Sequence, residues 1–164
     1  MITARPLTAA DFAPYGDVLD ASGDPDRIIN AGMCGRYHDR ARLDFADGGR
    51  AGLSIFNATP RTLPYALDLL ERHPLGAQAF VPMTQHPFLV IVAQDANGQP
   101  GQIEAFVTTP GQAINFHRGT WHGVLTPLHS PGLFAVVDYI GAGDNLEEVI
   151  LPAPITVTVP PELR

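Results

Sequence analysis

The chain has 164 residues, 45% of them apolar and 16% charged, which suits one folded domain burying about two-thirds of its unfolded surface and excludes a disordered chain. A formal charge of −7 with no basic run excludes nucleic acid and anionic membrane as partners. Lysine is absent, which excludes Schiff-base chemistry and leaves Arg, His or backbone N–H groups to hold an anion.

Sixteen glycines and sixteen prolines punctuate the chain and favour short strands joined by turns. Cys34 is the only cysteine, so no intrachain disulfide forms; with no signal peptide, a reducing cytoplasm is expected. The longest apolar run, Phe88 to Ala93, is too short to span a bilayer.

Thr8 to Phe12 reads as a short helix capped by the Thr8 hydroxyl, ended by Pro14-Tyr15-Gly16. Asp17–Asp20 is a short strand and Ser22–Asp26 a turn. Ile28–Asn30 and Gly35–His38 are strand candidates. Within the second, Arg36 and His38 are open to two readings, a solvated polar cluster with Asp39 or anion contacts. Ala51–Asn57 alternates, with Leu53, Ile55 and Asn57 on one face and Ser54 and Phe56 on the other. Tyr65 to His73 fits a helical turn or a strand, and the flanking prolines favour the strand.

Ala77–Pro82 is a strand, and Phe88–Gln94 another that is apolar on both faces and therefore central or interfacial. Asn97-Gly98 reverses the chain into the alternating Gln102–Thr108. Ala113–Phe116, Leu133–Ile140, Leu146–Ile150 and Ile155–Val159 complete about ten short strands with one or two helical turns. Residues 1–164 are therefore expected to form a single all-β domain, a closed barrel or jelly roll.

Two stretches concentrate the chemistry. Gly111, His117, Gly119 and His122 are spaced like the second cupin motif, with His117 where that motif has proline; its glycines permit the turn that throws the last histidine inward. Glu71, His73 and Gln78 occupy the three positions of the first cupin motif, normally His, His and Glu. On this resemblance Glu71, His73, Gln78 and His122 ring a divalent ion, Ni or Mn, or else line a metal-free polar pocket.

A closer resemblance follows from four blocks taken together. They are Phe12-x-Pro14-Tyr15-Gly16-Asp17-Val18, Arg36-Tyr37-His38-Asp39, Glu71-Arg72-His73-Pro74-Leu75-Gly76-x-Gln78 continuing to Met83, and Asn115-Phe116-His117-Arg118-x-x-Trp121-His122. From about residue 7 to residue 150 the chain resembles the ureidoglycolate lyase family of cupin-type enzymes.

The resemblance implies a homodimer that splits ureidoglycolate into urea and glyoxylate during allantoin breakdown. That substrate is a carbinolamide, so its cleavage needs a base for the hydroxyl, an acid for the departing nitrogen and a cation for the carboxylate. His122 or His73 is the expected base and His117 the expected proton donor. Arg72 or Arg36 is expected on the carboxylate and Gln78 on the ureido group. Arg72 and Arg118 have a second reading, since strand alternation turns neighbours of inward histidines outward. Two other functions share these residues: a non-catalytic cupin module binding small carboxylates, and another cupin enzyme acting on a small acid.

Overall fold

The computed structural model describes all 164 residues, Met1–Arg164. Its strands are β1 (Ile2–Thr3), β2 (Arg5–Pro6), β3 (Gly16–Leu19), β4 (Arg27–Ile29), β5 (Cys34–Arg36), β6 (Arg50–Ala58), β7 (Tyr65–Arg72) and β8 (Gln78–Pro82). They continue as β9 (Phe88–Ala96), β10 (Gln99–Val107), β11 (Ala113–Phe116), β12 (Trp121–His122), β13 (Thr126–Pro127), β14 (Gly132–Ile140) and β15 (Glu147–Thr158). Helix α1 (Ala9–Phe12) is capped as its sequence suggests, the Thr8 hydroxyl accepting from the Asp11 amide at 3.1 Å.

An eight-stranded sheet runs β1-β15-β7-β12-β9-β10-β2 with β13 also on β9; a five-stranded sheet runs β3-β11-β8-β14-β6. Strands β4 and β5 form a separate ribbon. This is the all-β, barrel-like architecture that the cupin resemblance implies.

Strand β9 is central because both of its faces are apolar. Phe88, Val90 and Val92 pack with Phe80, Ile114, Phe116 and Phe134 of the five-stranded sheet. Leu89, Ile91 and Ala93 join Leu67, Leu70, Trp121 and Val157 in a second core. Its hairpin to β10 turns at Asn97 (φ 55°) and Gly98 (φ 82°), two consecutive left-handed residues that match the right-handed twist of the strands.

Tyr65–Arg72 is a strand, as the flanking prolines suggest. The two expected C-terminal strands are one: β15 pairs with β7 along its length, and its register jumps between Ile150 and Ile155. Pro152 and Pro154 lie in that jump, where the ladder needs no donor. The two-residue strands β1, β2, β12 and β13 were not expected, because two residues carry no periodicity. On β6 it is Ser54 and Phe56 that face the interior, Phe56 meeting Phe80 edge-on, while Leu53 and Ile55 are 73% and 59% exposed.

Candidate active site

Strand β7 carries Glu71 and β12 carries His122, and the two residues are direct antiparallel partners. Alternation then sorts the neighbours. Glu71, His73 and His122 face one way, and Leu70 and Trp121 the other, into the second core, with Arg72 laid over the Trp121 ring. The turn before β12 depends on Gly119, whose φ of 80° favours glycine and whose N–H donates to the His73 carbonyl at 3.0 Å. The second motif thus fastens the first.

One donor atom each from Glu71, His73 and His122 lies within 4.8 Å of the others. Backbone carbonyls fix both rings: His73 Nδ1 lies 2.8 Å from the Asn145 oxygen and His122 Nδ1 lies 2.9 Å from the Gly123 oxygen. A carbonyl only accepts, so each Nδ1 carries hydrogen and each neutral ring keeps its lone pair on Nε2. Both Nε2 atoms are buried without a partner, and so is Gln78 Oε1. Glu71 Oε1 stands 3.9 Å from His73 Nε2 and from His122 Nδ1, too far for a hydrogen bond.

Charge distribution follows from burial. Desolvation, helped by His73, pushes His122 down to about 3, so its ring is neutral at physiological pH. Burial also raises Glu71, His73 opposes that rise, and the negative charge of Glu148 adds to it. The wall behind the cluster is Phe116, whose ring lies parallel to His122 with centroids 4.2 Å apart. Gln78 pairs with Phe116 across the β8–β11 ladder and so enters the same chamber, where its amide nitrogen donates to Asp138 Oδ2 at 3.2 Å.

The cluster gathers Glu71, His73 and His122, Gln78 lies beside the Phe116 wall, and the remaining expected residues lie outside. Arg72 turns to the opposite face; its Nε donates to Glu147 at 2.6 Å, its NH1 donates to Asp95 at 2.7 Å, and its guanidinium lies 4.5 Å over the Trp121 ring. Arg36 is exposed at the end of the β4–β5 ribbon opposite Arg27. Arg118 donates to the Pro74 carbonyl. His117 pairs with Asp17 at 3.0 Å, beside Asn115, which also bonds Asp17. Asn115 alternates with Phe116, so this polar group sits on the far side of the sheet from His122. Neither Arg36 nor Arg72 is at hand for a carboxylate in the chamber, and His117 is not at hand as its proton donor.

Three contributors had no sequence signal. Asn145 and Gly123 act through backbone carbonyls, and Asp138 meets Gln78 only because β14 pairs with β8.

A family model described as ureidoglycolate lyase matches residues 1–158 of the chain. The chain belongs to the ureidoglycolate lyase family. Ureidoglycolate lyase of Rhodobacter capsulatus is 60% identical over 153 residues, covering 93% of this chain and 95% of its own. Proteins of the same name from Chelativorans sp. (47% identical; 97% of each chain) and Mesorhizobium japonicum (51% identical; 90% of this chain, 91% of that one) are similar throughout. No helix is long and apolar enough to cross a membrane.

Proposed function

We propose that this chain is a lyase that eliminates urea from ureidoglycolate and leaves glyoxylate, a carbon–nitrogen lyase of the amidine-lyase type, acting as one domain over residues 1–164. Its similarity to proteins named ureidoglycolate lyase supports the substrate. The observation that carries the chemistry is the composition of the cluster: His73 Nε2, His122 Nε2 and Gln78 Oε1 are buried acceptors without donors, beside the Glu71 carboxylate. Buried acceptors need a cation or a donor to offset their lost solvation.

That donor set fits a divalent metal such as Ni or Mn, because two imidazole nitrogens and a carboxylate oxygen are borderline-to-hard ligands. The Asn145 and Gly123 carbonyls hold the rings as outer partners of metal ligands usually do. His73, His122 and Glu71 would hold the ion, with Gln78 Oε1 beside them. A bound ion would supply the positive charge that neither Arg36 nor Arg72 brings to the chamber, and would ease ionisation of the substrate hydroxyl.

The elimination moves one proton from oxygen to nitrogen while the C–N bond breaks and the C=O bond forms. Neutral His122, pushed down to about 3, is no proton donor at physiological pH. Glu71 fits the transfer better. With Oε1 toward the rings, Oε2 is left to take the hydroxyl proton and return it to the departing ureido nitrogen. Gln78 Oε1 accepts from the ureido N–H.

Purified protein given racemic ureidoglycolate should release glyoxylate and urea in equal amounts, and a chelator should stop it until Ni or Mn is restored. Binding without turnover would instead make the chain a small-carboxylate module. Turnover indifferent to prolonged chelation would remove the metal from this account.

The active unit we infer is a homodimer in the cytoplasm, where Cys34 stays reduced. Exposed Leu53 and Ile55 on the edge strand β6, with Val81 two strands away across Ala135, make an apolar outer face on the five-stranded sheet. Light scattering should report about twice the chain mass of 17.6 kDa; a monomer at micromolar concentration would refute it.

A further inference from the structure

We propose that Asp138 is a positioning residue: it turns the Gln78 amide so that an acceptor, not a donor, meets the substrate, and this selects a ureido group. The inference rests on the reading of the site as one that releases urea. Asp138 lies on β14, one residue beyond the Val137–Ala79 pair, and its Oδ2 takes the Gln78 amide hydrogen at 3.2 Å. A carboxylate oxygen accepts and the amide carbonyl accepts, so only the NH2 end of Gln78 can face Asp138. The orientation thus follows from chemistry, not from how the two ends of the amide happen to be assigned.

With its nitrogen held, Gln78 turns Oε1 the other way. Gln78 is only 6% exposed, and Oε1 has no partner. Its ladder neighbour Phe116 is the ring on which His122 stacks, so the bare oxygen belongs to the chamber of the histidines. Every donor-poor group there now has the same polarity. A ureido group brings N–H donors on two nitrogens and satisfies Oε1; glyoxylate brings no N–H. Released from Asp138, the amide can present its NH2 end, which opposes the N–H groups of urea.

The test compares wild type with Asp138→Ala and Asp138→Asn, using turnover of ureidoglycolate, product inhibition by urea and by glyoxylate, and thermal unfolding. Asp138→Ala should weaken urea inhibition about tenfold, the scale of one lost hydrogen bond, with glyoxylate inhibition unmoved and the loss falling on KM more than kcat. Asp138→Asn keeps the shape and offers either end of its own amide, so it should show the same split if the alanine variant does not fold. A folded Asp138 variant with unchanged urea inhibition, or one in which urea and glyoxylate weaken together with loss of bound metal, would overturn the proposal. Should wild type release no glyoxylate, the proposed function itself falls. Urea titration followed by NMR then decides Asp138 separately, weaker urea binding by the variant supporting it and equal binding overturning it.

Discussion

His122→Ala and His73→Ala are each expected to lower kcat/KM for ureidoglycolate by roughly a thousandfold or more, the scale seen when one group stabilising developing charge is removed. Each ring has a bare, buried Nε2, and each is locked by a backbone carbonyl that cannot hold a replacement side chain. Because the residues act as a unit, the double variant should be scarcely worse than either single one. Elemental analysis of the purified variants should find bound metal lost together with activity. His117→Ala is the internal control. Its partner is Asp17 on the other side of the sheet, so its effect should be far smaller and fall on stability. A His122→Ala protein that releases glyoxylate at the normal rate would remove the cluster from the mechanism, and a His117→Ala protein that is equally dead would restore His117 as the proton donor.

The contrast between those histidines marks what the sequence could convey. Local rules carried far. Alternation along Glu71-Arg72-His73 already implies that Arg72 cannot share a face with both its neighbours, and the structure sends it to Asp95 and Glu147. The spacing of Gly111, Gly119 and His122 likewise placed His122 inside, because a left-handed glycine turn is a local property. His117 stands at a motif position where side-chain direction is set by the turn, and the turn hands it to Asp17. Arg36 belongs to a dense polar cluster, and such a cluster says nothing of where its ribbon lies. Asp138 and Asn145 were out of reach for another reason. They meet Gln78 and His73 from 60 and 72 residues away, and pairings of that span depend on which strands become neighbours. Periodicity reveals faces; it does not reveal neighbours.

Phe116→Ala is expected to destabilise the protein by about 3–5 kcal/mol, a large share of the total stability of a typical domain. The ring is buried where the two sheets meet, parallel to His122 at 4.2 Å, edge-on to Phe80 at 5.9 Å and tilted against Phe12 at 6.2 Å. Removing it opens a cavity against the site itself, so thermal unfolding should shift by about 10 °C or more, given roughly 2–4 °C per kcal/mol for a chain of this size. Phe116→Leu separates packing from chemistry. It fills most of the space and should unfold much closer to wild type, yet it has no flat face for the imidazole and lets water nearer. Desolvation is the main cause that pushes His122 down to about 3, so wetter surroundings should let its pKa climb back toward the ordinary histidine value. The sign follows: a ring that protonates at higher pH loses its Nε2 lone pair sooner as pH falls. Because the Glu71 carboxylate, which takes the hydroxyl proton, governs the acid limb of turnover, the shift is read on the ring itself: NMR titration should show His122 protonating at higher pH in Phe116→Leu while activity near pH 8 is largely kept. A His122 titration that stays in place in a folded Phe116→Leu protein would mean that His122 is kept neutral by something other than the aromatic wall behind it.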